Sequence, residues 1–110
     1  MKIAFCFPGQ GSQDVGMGRA IAEEFPAARA AYDEASEAVG FDVAKLCFEG
    51  SMEELTRTEL QQPALVTTSI ACHRAVKTLG IAPDYVIGHS VGEYSALAAA
   101  DAIGTGDAVA

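Results

Sequence analysis

The chain has 110 residues, 50% hydrophobic, with 11 Gly and 4 Pro spread along it, which fits one globular unit. Its net charge of −8 argues against a nucleic-acid partner, no apolar run is long enough to span a membrane, and the stretch before Pro8 is too short for a signal peptide. Cys6, Cys47 and Cys72 show no C-x-x-C spacing and stand in apolar contexts, so they read as buried free thiols of a cytoplasmic protein; the histidines His73 and His89 offer no metal-ligand spacing.

Lys2-Ile3-Ala4-Phe5-Cys6-Phe7 predicts a short apolar strand, stopped by Pro8-Gly9. The polar loop Gln10-Gly11-Ser12-Gln13 follows. Gly9-x-Gly11 does not continue into a dinucleotide fingerprint, because Asp14 stands where the third glycine belongs. The loop can still offer backbone N–H groups at the carboxyl end of a strand. A short helix is predicted over 17–24, and a second from Pro26 to Val39, with Ala28, Tyr32, Ala35 and Val39 as its apolar stripe and Gly40 as C-cap. Asp42 caps a short helix that Gly50 ends, and Ser51-x-x-Glu54 is a capping box for one more turn. The longest helix is expected from Pro63 to Leu79, with Leu65, Cys72, Val76 and Leu79 as one buried seam and His73 on its flank in a structural role.

Asp84-Tyr85-Val86-Ile87 is short and apolar and reads as a buried parallel strand. Gly88-His89-Ser90-Val91-Gly92 is a G-x-S-x-G sequence, and Glu93 to Ala100 favours a helix. Strand, tight turn and helix form the setting of a nucleophile elbow. Ser90 must then adopt unusual backbone angles, and a Cβ at Gly88 or Gly92 would collide with neighbouring backbone. The turn lifts the Ser90 hydroxyl to a helix N-terminus, where free N–H groups favour an oxyanion. Beyond Ala100, Thr105 or Asp107 is the expected N-cap of a further helix. Two parallel strands joined by a long helical crossover do not make a self-sufficient sheet. The expectation is therefore an N-terminal part of a larger α/β domain, with helix faces lacking a sheet to cover.

Phe7-Pro8-Gly9-Gln10-Gly11-Ser12-Gln13, Gln62-Pro63-Ala64-Leu65 and Gly88 to Ala96 together resemble the malonyl-CoA:acyl carrier protein transacylases of type II fatty acid synthesis. The resemblance implies an α/β-hydrolase-like core, begun here, with the rest of the core and a ferredoxin-like subdomain beyond residue 110. It implies Ser90 as nucleophile, and Gln10 and Val91 as backbone donors of an oxyanion hole. It also implies ping-pong transfer of malonyl from coenzyme A to the pantetheine thiol of acyl carrier protein, by a monomer without a cofactor. The family's His base and carboxylate-binding Arg lie beyond Ala110, and His89, next to the nucleophile, is no substitute. Val91 resembles malonyl-type rather than methylmalonyl-type members. Asp101 stands where the family pattern has Gly after the elbow helix, and Gly104 where a polar cap is usual. Arg74 and Lys77, three apart on the long helix, are candidates for docking an acidic carrier protein. Two other readings compete: a serine esterase or thioesterase with the same elbow, and a non-catalytic fragment that binds coenzyme A or a carrier protein.

Overall fold

The computed structural model describes residues 2–109, the side chain of Thr58 excepted. Strand β1 spans Ala4–Phe7. Helices α1 (Arg19–Glu24), α2 (Pro26–Val39), α3 (Val43–Glu49), α4 (Met52–Thr56) and α5 (Thr58–Thr78) follow. Strand β2 (Tyr85–Gly88), α6 (Gly92–Ala99) and α7 (Thr105–Val109) complete the order. The strands pair in parallel, with Ala4 opposite Tyr85 and Phe7 opposite Gly88. They form a two-stranded sheet among the described residues, and the whole α1–α5 run is the crossover between them. Among the described residues no helix is long and apolar enough to cross a membrane.

Local chemistry accounts for most element ends. Pro26 opens α2, where its missing N–H would have no intrahelical partner, and Gly40 closes it at φ 82°. The Asp42 carboxylate accepts from the Lys45 N–H at 3.0 Å, and Ser51 and Glu54 form the reciprocal capping box. Asp101 has φ 59°, the left-handed conformation that makes glycine the usual residue there.

The core lies between helices. Tyr32 of α2 is fully buried, and its hydroxyl sits 2.8 Å from the Thr68 hydroxyl of α5 and donates to the Met17 carbonyl at 3.3 Å. Phe48 meets the Tyr32 ring edge-on at 5.0 Å. Arg74 ties three helices: its guanidinium donates to both carboxylate oxygens of Glu34, at 2.6 and 3.1 Å, and to the Thr105 hydroxyl at 2.8 Å. That hydrogen bonding holds the Glu34 carboxyl below the usual range.

Four expectations need correction. First, α5 begins at Thr58, so Pro63 lies inside the helix rather than at its start. The ring forfeits one ladder bond. In return, Leu60 packs on the core and Gln61 is buried. Second, the predicted seam of α5 divides. Leu65 is buried, Cys72 and Val76 are half-buried, and Leu79 is 65% exposed just past the helix end. The helix is covered on more than one side, so Ala64, Val66, Thr67, Ile70 and Ala71 are buried too, and a single stripe understates it. Third, most helix faces are buried, chiefly α2 against α5, while Met52 of α4 and Tyr94 and Leu97 of α6 stay exposed. The outer face of the sheet is bare too: Ala4 and Cys6 alternate with Phe5 and Phe7 and are exposed, as are Tyr85 and Ile87. Pleating sends successive side chains to opposite faces, and only the face carrying Phe5 and Phe7 meets a helix. Fourth, Cys6 is therefore exposed, whereas Cys47 is buried and Cys72 half-buried; all three are free thiols.

Candidate active site

The parallel register decides where the site forms. Because Phe7 lies opposite Gly88, both strands end level, and the loops that follow emerge side by side. One is Pro8-Gly9-Gln10. The other is His89-Ser90-Val91, which runs into α6. The two are joined where the His89 N–H donates to the Phe7 carbonyl at 3.1 Å.

Three glycines let these backbones touch. A Cβ on Gly88 would stand 2.2 Å from the Gly92 carbonyl oxygen. One on Gly92 would stand 2.3 Å from the Phe7 carbonyl oxygen, and one on Gly9 2.5 Å from that of His89. No real Cβ approaches backbone so closely. Ser90, held between Gly88 and Gly92, has φ 55° and is exposed. A left-handed residue with a side chain costs roughly 1–2 kcal/mol, and it persists where the surroundings over-determine it. Here the constraint is a run of tight turns: Gly92 N–H to His89 O at 2.9 Å, Glu93 N–H to Ser90 O at 3.0 Å, and Tyr94 N–H to Val91 O at 3.1 Å.

Val91 is buried, and its side chain joins the core while its backbone opens α6. Gln10 is exposed in the facing loop. Among the described residues the N–H groups of Gln10 and Val91 have no protein acceptor. The site thus presents a hydroxyl in a strained turn at a helix N-terminus, bordered by two loops with unpaired donors. Such an arrangement can carry out nucleophilic attack and stabilise developing negative charge.

Two supporting roles escaped the sequence reading, those of Gln13 and Phe7, while the structural role expected of His73 takes a definite form. Gln13 is buried, and its side-chain oxygen accepts the Gly11 N–H at 2.9 Å, stapling the loop that contains Gln10. Phe7 supplies the carbonyl that accepts the His89 N–H and against which Gly92 packs. His73 lies beneath β1, edge-on to Phe5 and Phe7. The imidazole of His89 rests against Gly9. Arg74 is engaged by Glu34 and Thr105, which removes it from a docking patch with Lys77.

Residues 4–110 match the acyl transferase domain family. The chain belongs to that family. The acyl transferase domain is 56% identical over 108 residues to a malonyl CoA-acyl carrier protein transacylase of Bacillus subtilis, covering 98% of this chain and 34% of the relative. It resembles the solved acyl-carrier-protein S-malonyltransferase of Burkholderia pseudomallei at 49% identity and a TM-score of 0.93, over 99% of this chain and 36% of that one. It also resembles, at 43% identity, 99% and 36% coverage and a TM-score of 0.92, a malonyl-transacylase solved in complex with its type II polyketide acyl-carrier protein. This acyl transferase domain therefore spans about a third of the length of the relatives it matches.

Proposed function

We propose that residues 1–110 are the N-terminal part of the α/β-hydrolase-like core of a malonyl-CoA:acyl carrier protein transacylase. The remaining core and a ferredoxin-like subdomain follow in sequence beyond residue 110. The observation that carries this reading is Ser90 at φ 55° between crowded glycines, facing the Gln10 loop. The naming of the relatives supports the substrate, and the carrier-protein complex among the solved structures supports the partner.

In this reading the Ser90 oxygen attacks the malonyl thioester and its proton passes to a base beyond residue 110. The carbon–sulfur bond then breaks, coenzyme A leaves as the thiol, and malonyl remains as a Ser90 ester. The pantetheine thiol of acyl carrier protein attacks that ester, and Ser90 recovers its proton. The Gln10 and Val91 N–H groups hold the oxyanion in both steps. Ester and thioester trade an acyl group with no change in oxidation state, so the exchange needs no cofactor. A monomeric cytoplasmic enzyme of fatty acid synthesis completes the proposal. Splitting one exchange into two through an acyl-enzyme is what an exposed, positioned hydroxyl contributes.

The test is acylation of the whole protein with labelled malonyl-CoA. Ser90→Ala is expected to take up no label while keeping its melting curve. Label retained on the folded variant would sink the assignment, and label passing to water in preference to a thiol would favour an esterase.

A further inference from the structure

We propose that His73 is a positioning residue for the oxyanion half of this site: a neutral imidazole that props β1 and the Pro8–Gln10 loop, and that loosens both when it takes a proton. The inference deepens the acyl-transfer reading, since the loop it props carries Gln10.

The argument begins with contacts. The His73 ring lies 5.6 Å from the ring of Phe5 at 76° and 6.2 Å from that of Phe7 at 66°. These are the two β1 side chains that point toward α5. Beside them is a recess of about 420 Å³, lined by Phe5, Phe7, Leu65, Cys72 and Val76 as well as His73. The imidazole is thus a strut across partly open space. Phe7 carries the load onward: its carbonyl accepts the His89 N–H, and Gly92 lies directly against it. A shift of the Phe7 ring is therefore a shift of both loops.

The strut suits only the neutral ring. Nδ1 of His73 is buried and has no hydrogen-bond partner among the described residues. The neutral ring leaves only a lone pair there, but a protonated ring would bury an N–H with no acceptor, which is far more costly. The charged and titratable groups around it do not rescue the cation. Lys77 and Arg74, on the same helix, oppose it; Asp101, after α6, favours it. Asp84, just before β2, and Tyr85, its first residue, line a second recess together with His73 and Lys77. Cys6 and Cys72 are also among the residues that line the first recess. Burial first, then Lys77, holds the imidazole below the usual histidine range against the pull of Asp101. Its folded value is lowered, so the unfolded chain binds the proton first. Stability is then complete above the ordinary value of about 6.5 and declines as pH falls from there toward the folded value.

The experiment uses the whole protein, wild type and His73→Phe, with amide hydrogen exchange of peptides covering 5–13 corrected for intrinsic rates. In the wild type, protection of these peptides is expected to fall about threefold or more between about pH 7.5 and about pH 5.5, while His73→Phe shows no such change. The acid-side loss of kcat in malonyl transfer is expected to shift to lower pH in the variant, with KM little altered. A His73→Phe protein that keeps the wild-type pH dependence of exchange overturns the proposal. Should that variant fail to fold, NMR titration of the wild-type imidazole decides: a midpoint at or above about 6.5 overturns it. Absence of any transfer would count against the acyl-transfer reading alone, because exchange and titration still judge the strut.

Discussion

Ser90, Val91 and Gly92 occupy three consecutive positions and face three different constraints. Gly92 is fixed by space, since a Cβ would stand 2.3 Å from the Phe7 carbonyl oxygen and 2.8 Å from that of Pro8. Gly92→Ala is expected to lose at least about 1–3 kcal/mol in urea melts, because backbone rather than a flexible side chain must give way. Val91 divides between roles. Its side chain is 7% exposed, so Val91→Ala should destabilise by about 2 kcal/mol while leaving kcat near normal. Its backbone has φ −60°, which proline accepts, and an unpaired N–H. Val91→Pro removes that donor, and kcat is expected to fall about 10²–10³-fold in a protein that melts as a folded domain. Normal turnover there would refute the oxyanion role.

The helices hold one another through a few buried polar contacts. Tyr32 is the largest fully buried side chain, and burial raises the pKa of its phenol despite the hydrogen bond to Thr68. Its hydroxyl bridges α2 to α5 and to the loop before α1. Tyr32→Phe is expected to cost about 1 kcal/mol in thermal melts, the usual net worth of a buried hydrogen bond. Cys47, nearby, has its thiol pushed up to about 11 by burial, so it should resist alkylation in the folded protein while the exposed Cys6 reacts. Differential labelling by iodoacetamide with mass mapping checks that order.

At the scale of the molecule, the outer face of the sheet is open. Tyr85 is 54% and Ile87 58% exposed, with Ala4 and Cys6 alongside. Parallel sheets are ordinarily covered on both faces. Residues 1–110 expressed alone are expected to self-associate or bind a hydrophobic dye, and to transfer no malonyl beside a full-length control. Transfer near the control rate would reveal a base within these residues, with His73 the first to re-examine.

Much was determined by local sequence. Helix caps at Gly40, Asp42 and Ser51 and the G-x-S-x-G turn between strand and helix were legible because each depends on neighbours within a few residues. The family, too, was legible from three short motifs in order. Tertiary structure decided the rest. Pro63 could enter a helix interior only because the residues ahead of it pack on the core, a gain no propensity records. Arg74 looked available for docking until Glu34, forty residues away in sequence, and Thr105 were brought to it by helix packing. His73 became a support for β1 because α5 passes beneath Phe5 and Phe7, and the level ending of β1 and β2 set the Gln10 loop beside Ser90. Backbone conformation at a cap or turn is a local free energy; which side chains meet across seventy residues is set only when the whole chain packs.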